Sequence, residues 1–208
     1  MRARVLLADD HRLLCEAFAQ LLKPTCDIVG AVADGRALLA AAADLRPDVI
    51  VLDIAMPLLN GLDAARKLRR QMPGIKLIFL TVNEDPDVAV EALRLGASGY
   101  LLKNSAAPEL VEAIQEVMAG RSYITPLAKR NPGHRLSTSL DRKNGELSAR
   151  QREVLRLLAE GRSMKQIASL LNISARTVAF HKYSMMKELG IQSSAELVQF
   201  ALKLHIVA

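Results

Sequence analysis

The feature that most limits the possible folds is a repeated alternation, within residues 1–122, of short apolar runs and segments with helical spacing. The runs are rich in Val, Ile and Leu, which is typical of strands that are buried on both faces of a parallel sheet. They predict strands at Val5–Ala8, Ile28–Ala33, Val49–Leu52, Lys76–Leu80 and Gly99–Leu102. The segments between them predict helices near Arg12–Leu22, Gly35–Asp44, Gly61–Arg70, Asp87–Leu95 and Ala107–Ala119. We therefore expect a doubly wound α/β domain with a five-stranded parallel sheet, in which Leu14, Phe18 and Leu21 mark an inward helix face.

The rest of the chain has a different organisation. Residues 122–145 contain Pro126, the triplet Asn131-Pro132-Gly133 and a Ser/Thr cluster, so periodicity is lost and a linker is predicted. Serines at the N-cap position then open helices predicted at Ser148–Glu160, Ser163–Leu171, Ser174–Glu188 and Ser194–Leu204, with Gly161 and Gly190 as stops. The predicted domains are residues 1–121 and an all-α, four-helix domain of residues 146–208.

Charged residues are distributed unevenly between these parts. Residues 1–122 hold 14 Lys and Arg against 16 Asp and Glu, net −2, whereas residues 148–208 hold 9 against 4, net +5. A basic excess in the C-terminal part is expected where a protein meets a polyanion such as DNA. No apolar run reaches the ~20 residues of a membrane span, and the pattern of a signal peptide is missing. We expect a cytoplasmic protein without membrane contact, whose two cysteines, Cys15 and Cys26, are reduced thiols.

Polar residues stand at the ends of four predicted strands. Asp9 and Asp10 follow the first strand, Asp53 the third, Thr81 the fourth and Lys103 the fifth. Because loops from the carboxyl ends of parallel strands share one edge, where ligands bind, these side chains should converge. Adjacent carboxylates repel one another unless a cation compensates, and an all-oxygen site of this kind suits Mg²⁺. Any single acid could instead cap a helix, as Asp10 could ahead of the first helix, but the combination favours a functional site.

These residues resemble the receiver domain of two-component response regulators, over residues 1 to about 121. The resemblance rests on Ala8-Asp9-Asp10, on Leu52-Asp53-Ile54-Ala55-Met56-Pro57 with Gly61, and on Thr81, Tyr100 and Lys103. It implies a flavodoxin-like fold in which Asp53 accepts a phosphoryl group from a histidine kinase. It also implies that Asp10 and Asp53 bind Mg²⁺ with the backbone carbonyl of Ala55, while Asp9 helps to hold the ion. This agrees with the chemistry of a carboxylate nucleophile whose developing charge is neutralised by Lys103.

Thr81 and Tyr100 are predicted to form a switch. Thr81 would hydrogen-bond the phosphoryl oxygen, and Tyr100 would swing inward into the space that Thr81 vacates; the alternative is an ordinary half-buried strand tyrosine. Two positions depart from the family pattern. Val82 stands where relatives usually carry Ala or Gly, so we expect it to slow attack of water on the aspartyl phosphate. Asn104 follows Lys103 where many receivers have a proline after a cis bond, and the sequence leaves this isomer open.

A second resemblance, to the LuxR-type helix-turn-helix of the NarL/FixJ class, covers residues 147–208. It rests on four segments: Leu147 to Gly161, Ser163 to Ala168, Ile173 to Val178, and Leu189-Gly190. In this arrangement a support helix packs against a second helix, whose outer face enters a major groove. The residues expected in that packing are Ile167, Leu170 and Leu171 on the support helix and Val178, Met185 and Leu189 on the second.

Eight residues on or near the second helix are predicted to contact double-stranded DNA: Lys165, Arg176, Thr177, Ala179, Phe180, Lys182, Tyr183 and Lys187. The apolar and aromatic members would read bases, largely through contact with thymine methyl groups. The basic members would hold phosphates, the alternative being an ordinary solvated helix face. His181 is expected to pack at the helix interface. In the last helix, Leu197, Val198, Ala201 and Leu202 form an apolar stripe that predicts either a homodimer contact or plain core packing.

Together these features predict a phosphorylation-switched transcription regulator that is not an enzyme, and the resemblance implies that the unphosphorylated receiver masks the DNA-binding helix. One rival is a Mg²⁺-dependent phosphohydrolase with Asp53 as nucleophile. Such enzymes commonly carry a second acid two residues later, where this chain has Ala55. Another rival keeps DNA binding without phosphorylation, and the complete set of acids argues against it.

Overall fold

The computed structural model describes residues 2–82, 85–125 and 147–203, apart from the side chains of Pro86, Leu202 and Lys203. The chain divides into two compact units, residues 1–137 and 138–208. Most of the predicted linker, from residue 126 to 145, lies outside the described residues. Within the described part, none of the helices combines the length and the apolar character that crossing a bilayer requires.

The first unit is built on a parallel sheet with the strand order β2-β1-β3-β4-β5-β6. Its strands are β1 (Ala3–Ala8), β2 (Cys26–Val32), β3 (Val49–Asp53), β4 (Lys76–Thr81), β5 (Gly99–Leu102) and β6 (Tyr123–Ile124). The parallel sheet is confirmed, but the prediction of five strands was wrong. The sixth strand pairs with β5 at Gly99↔Tyr123 and Tyr100↔Ile124, inside the segment predicted as linker. Two residues are too few to produce a strand period in the sequence, so β6 was not recognised.

The helices of this unit are α1 (Arg12–Leu22), α2 (Gly35–Leu45), α3 (Gly61–Gln71), α4 (Pro86–Arg94) and α5 (Ala106–Met118). Helices α1 and α5 bury apolar side chains against the central strands, around Val5 and Leu7 of β1. The inward face of α1 is formed by Cys15, Phe18 and Leu22, with Leu14 partly buried. The prediction for Leu21 was wrong, because this side chain is exposed and Leu22 takes the core position.

The entry of α3 fixes the chain close to the end of β3. The N–H of Gly61 donates to the carbonyl of Ile54 at 2.9 Å, and a Cβ atom at Gly61 would lie 2.1 Å from the carbonyl oxygen of Asp53. Only glycine allows two backbones to approach this closely. Asn60 caps the helix by accepting from the N–H of Asp63. The loop that follows Asp53 is thereby held against the strand.

The second unit contains helices α6 (Ala149–Ala159), α7 (Met164–Leu171), α8 (Ala175–Glu188) and α9 (Ser194–Lys203). The predicted serine N-caps of the first three are confirmed, since the side chains of Ser148, Ser163 and Ser174 each accept a backbone N–H. The cap of α9 is one residue earlier than predicted, because Ser193 accepts from the N–H of Glu196. Gly161 and Gly190 have positive φ angles at the ends of α6 and α8, as expected of helix stops.

The core of this unit joins all four helices and uses most, but not all, of the expected residues. Ile167, Val178 and Met185 are buried, with Leu171 and Leu189 packed beside them. Leu170 was wrongly placed in this core, since its side chain is 60% exposed on the outer face of α7. In α9, Leu197 and Ala201 belong to the core, so much of its apolar stripe is used within the unit. The stripe therefore supports core packing more than a dimer contact.

Candidate phosphoacceptor site and DNA-binding surface

An acidic cluster lies at the carboxyl edge of the sheet, where β1 and β3 are neighbours. Asp53 is the last residue of β3 and is 2% exposed, and Asp9 directly follows β1 and is also buried. Lys103, which follows β5, inserts its ammonium group between them. Its Nζ atom lies 2.6 Å from Oδ2 of Asp9 and 3.0 Å from Oδ2 of Asp53. The predicted convergence of these three residues from three strand ends is therefore observed.

The charge state of Asp53 reflects opposing effects. Burial raises the pKa of this carboxyl group above its ordinary value, while the Lys103 ammonium and the backbone N–H of Ala55 act in the opposite direction. The Ala55 N–H donates to Oδ1 of Asp53 at 3.1 Å. Oδ1 is thus held by the backbone and Oδ2 by the ammonium group, so the carboxylate has a fixed orientation.

His11 belongs to this cluster, although the sequence did not indicate it. Its Nδ1 atom lies 3.1 Å from Oδ1 of Asp9 and 3.1 Å from Oδ1 of Asp10, and its backbone N–H donates to Oδ1 of Asp9. Potential ligand atoms of His11 and of the three aspartates all lie within 4.8 Å of one another. Carboxylate oxygens are the preferred ligands of Mg²⁺, so the three aspartates of this cluster fit such an ion. A single histidine beside two acids has no distinctive sequence signal, which explains the omission.

Thr81 and Tyr100 lie on the two strands beyond β3. Thr81 ends β4 and is buried, and its carbonyl accepts from the N–H of Lys103 at 2.8 Å. Tyr100, in β5, is 2% exposed, and burial together with the charge of Asp85 raises its pKa. It is therefore fully buried rather than half-buried.

The Lys103–Asn104 bond, whose isomer the sequence left open, is trans. Val82 is exposed just past β4, and its predicted effect on hydrolysis stays a prediction.

Two known protein families match the chain, one in each of its two units. Residues 5–115 match the model of the response regulator receiver domain, and residues 145–201 match that of the luxR family of bacterial regulatory proteins. The chain belongs to the two-component response regulators. The acidic cluster thus lies in a receiver domain, and the four-helix unit is a LuxR-type DNA-binding domain, as both resemblances indicated.

Individual relatives match this response regulator over nearly their whole length. The oxygen regulatory protein NreC of Staphylococcus haemolyticus is 33% identical, over 96% of this chain and 97% of the relative. The structure of RcsB from Salmonella enterica serovar Typhimurium bound to a promoter is 27% identical, covers 100% of both chains and has a TM-score of 0.60. A LuxR-family response regulator from Aurantimonas sp. is 28% identical, covers 66% of this chain and 97% of that chain, and has a TM-score of 0.61.

Helix α8 of the response regulator presents part of the predicted DNA-contact set to solvent. Tyr183 is 59% exposed, and the Lys182 ammonium lies 5.4 Å from the centre of its ring. Arg176 and Lys187 of α8 and Lys165 of α7 are exposed, and Lys182 is partly buried. These side chains are available to a nucleic acid approaching the outer face of the helix.

Four residues of α8 lie further inward. Phe180 is partly buried, and its ring meets that of His181 edge-on at 5.3 Å. Ala179 is also partly buried. Thr177 is 5% exposed, and its hydroxyl lies 2.8 Å from that of Ser174 at the helix N-terminus, so its predicted DNA contact stays a prediction. His181 is fully buried, which confirms its predicted place at the helix interface.

Proposed function

We propose that Asp53 of this response regulator accepts a phosphoryl group from a histidine kinase, and that the modification changes DNA binding by the C-terminal domain. The observation that carries the proposal is the position of Lys103, whose ammonium group bridges Asp9 and Asp53 within the buried cluster. A structural role for these acids would be served by a single ion pair. A cation shared by two carboxylates at a strand end instead suits a site where further negative charge arrives.

The transfer step breaks the P–N bond of a phosphohistidine and forms a P–O bond to a carboxylate oxygen of Asp53, while the donor nitrogen leaves with the electron pair. The Ala55 N–H fixes Oδ1 of Asp53 and so aims the carboxylate. Lys103 then neutralises charge on the transferred oxygens, and the Thr81 hydroxyl would hydrogen-bond one of them. Asp9, Asp10, Asp53 and the carbonyl of Ala55 would hold Mg²⁺, which supplies further neutralisation when bound.

We propose that the consequence is a change in binding to double-stranded DNA by a homodimer in the cytoplasm. The basic residues Lys165, Arg176, Lys182 and Lys187 would hold phosphates, Lys182 being partly buried and the other three exposed, and Ala179, Phe180 and Tyr183 would meet bases. The domain boundaries that we propose are residues 1–121, a linker of residues 122–145, and residues 146–208. Changes in the positions of Thr81 and Tyr100 would transmit the effect of the modification to the rest of the receiver.

The proposal is tested by labelling the full chain with acetyl phosphate in the presence of Mg²⁺. Asp53→Asn should abolish labelling, because the amide keeps the shape of the carboxylate but loses its nucleophilic charge. Asp44→Asn, which changes an exposed acid in α2, is the matched control and should label like the wild type. Full labelling of Asp53→Asn would contradict the site assignment. Steady release of phosphate over many turnovers, without accumulation of labelled protein, would favour the phosphohydrolase instead.

A further inference from the structure

The sixth strand is held in place by more than its short pairing with β5. The N–H of Tyr123 donates to the carbonyl of Ser98 at 3.1 Å, and the N–H of Thr125 donates to the carbonyl of Tyr100 at 2.9 Å. A two-residue strand at a sheet edge with only these bonds would open readily. The contacts that β6 makes outside this pairing therefore bear on how firmly it is attached.

Those interactions come from two hydroxyl groups that face α5. The Thr125 hydroxyl donates to Oε2 of Glu109 at 2.8 Å, and the Tyr123 hydroxyl lies 3.3 Å from the same oxygen and 3.5 Å from Oε2 of Glu112. Thr125 is fully buried. Burial and the charges of Glu109 and Glu112 raise the pKa of Tyr123 to about 12, and its protonated phenol is a hydrogen-bond donor at neutral pH. We call Tyr123, Thr125, Glu109 and Glu112 the β6 clasp.

The clasp joins the switch residue to the chain that leads to the DNA-binding domain. Tyr100 pairs with Ile124, and its carbonyl accepts from Thr125, so the strand that carries Tyr100 and the last described residue of the receiver share a hydrogen bond. The following described segment begins at Leu147, in the second unit. A change at Tyr100 can bias residues beyond Thr125 only while β6 remains attached to β5 and α5, since coupling needs an element that responds to the state of both sites.

We infer that the β6 clasp couples the phosphoacceptor site to DNA binding, with Thr125 and Glu109 as positioning residues that keep the start of the linker attached to the strand of Tyr100. The inference rests on the proposed function, because it concerns how the modification at Asp53 reaches the C-terminal domain. If the clasp contacts are removed, the start of the linker is loosely attached in the phosphorylated and in the unphosphorylated protein alike. The two states then no longer differ in how they bias DNA binding, and the coupling disappears.

The test uses the full chain carrying Tyr123→Phe and Thr125→Val together. These substitutions remove both hydroxyl donors but preserve ring and side-chain volume and leave the backbone pairing of β6 possible. Labelling by acetyl phosphate and its half-life are measured first, followed by affinity for a duplex selected from random-sequence DNA, with and without labelling. Arg121→Gln is the matched control, since it breaks an exposed ion pair with Glu116 in the same segment without touching the clasp. Thr125→Ser, which keeps the hydroxyl, tests rescue.

We expect normal labelling of the double variant, but a gain in DNA affinity on labelling that is reduced at least about fivefold, the low end of typical coupling between sites. Arg121→Gln and Thr125→Ser should keep most of the gain. A folded, fully labelled double variant with the wild-type gain would overturn the clasp inference alone. A wild type that is not labelled, or whose DNA affinity does not change on labelling, would overturn the proposed function and the clasp inference with it. If the double variant fails to fold, the single substitution Tyr123→Phe, at a partly exposed position, is used in the same measurement. An unchanged gain in DNA affinity on labelling of this single variant would also overturn the inference.

Discussion

At the scale of single residues, Leu58 shows how the loop after Asp53 is shaped. Its φ angle is 62°, and the N–H of Leu59 donates to the carbonyl of Pro57 at 2.6 Å, which makes Leu58 the centre of a three-residue turn. A non-glycine residue in this region costs of order 1–3 kcal/mol. Since the side chain is 72% exposed, its packing offsets little of that cost. The strain lies in the loop between Asp53 and α3.

Leu58→Gly should therefore raise the free energy of unfolding by about 1 kcal/mol, the balance of relieved strain and the larger entropy of an unfolded glycine. Urea denaturation monitored by circular dichroism measures the change. Leu13→Gly is the matched control, because Leu13 is an equally exposed leucine with helical backbone in α1, and its loss should lower stability by roughly 0.5–1 kcal/mol. Equal destabilisation by both substitutions would show that Leu58 is not strained.

The positions of the site residues were easier to predict from the sequence than the backbone conformation of the adjoining loop. Asp9, Asp53 and Lys103 were placed correctly because a strand end is a defined point in a parallel sheet. The positive φ of Leu58 could not be predicted, since leucine carries no preference for it. The burial of Thr177 could not be predicted for a related reason. A threonine in the first turn of a helix can face solvent or fold back onto the cap, and only the packed structure decides.

At the scale of elements, Arg69 connects α3 to the end of α4. Its guanidinium group donates to the carbonyls of Leu95 at 3.3 Å, Pro73 at 3.1 Å and Ile75 at 2.7 Å, and also to that of Gly96. Burial lowers the pKa of Arg69, but the carbonyl oxygens stabilise the charged form. One side chain thus holds the loop between α3 and β4 and the turn between α4 and β5.

Arg69→Lys should lower the free energy of unfolding by about 1–3 kcal/mol, because an ammonium group cannot reach all four carbonyls and leaves some of them without a donor. Thermal or urea denaturation of the full chain measures the effect. Arg70→Lys, at the adjacent exposed position of α3, should change stability by less than about 0.5 kcal/mol. If the two substitutions cost the same, the four contacts of Arg69 contribute little.

Helix α8 offers a contrast between two neighbouring residues. If Phe180 reads a base, Phe180→Ala should weaken binding to the selected duplex by ~1–3 kcal/mol and leave non-specific binding nearly unchanged. Lys182→Ala should weaken binding to all sequences and flatten the slope of log K against log salt by about one unit. Titrations of both variants at several salt concentrations separate the two cases. Because Phe180 is partly buried against His181, a lower melting temperature with an equal loss on all DNA would instead assign it to the fold.

At the scale of the whole molecule, the charge difference between the two domains was the most informative sequence property. The helical segments of the DNA-binding domain were predicted well, because each begins with a capping serine and two of them end at a glycine with positive φ. The end of the receiver was predicted less well. The side chains of strand β6 and its end contact Glu109 and Glu112 in α5, and such long-range contacts leave no local pattern in residues 123–125.

The same division of charge makes a prediction about the separated DNA-binding domain. Residues 148–208 carry a net charge of +5, while residues 1–122 carry −2. The basic residues of α8 belong to a unit with its own hydrophobic core, so residues 146–208 should fold and bind the selected duplex without any phosphodonor. Fluorescence anisotropy should show an affinity at least equal to that of the unlabelled full chain, because removing the receiver removes both its acidic charge and any masking of α8. The full chain is the control and should approach the affinity of the fragment only after labelling. A folded fragment that fails to bind, beside a labelled full chain that binds, would instead mean that the receiver supplies contacts that hold the DNA-binding dimer together.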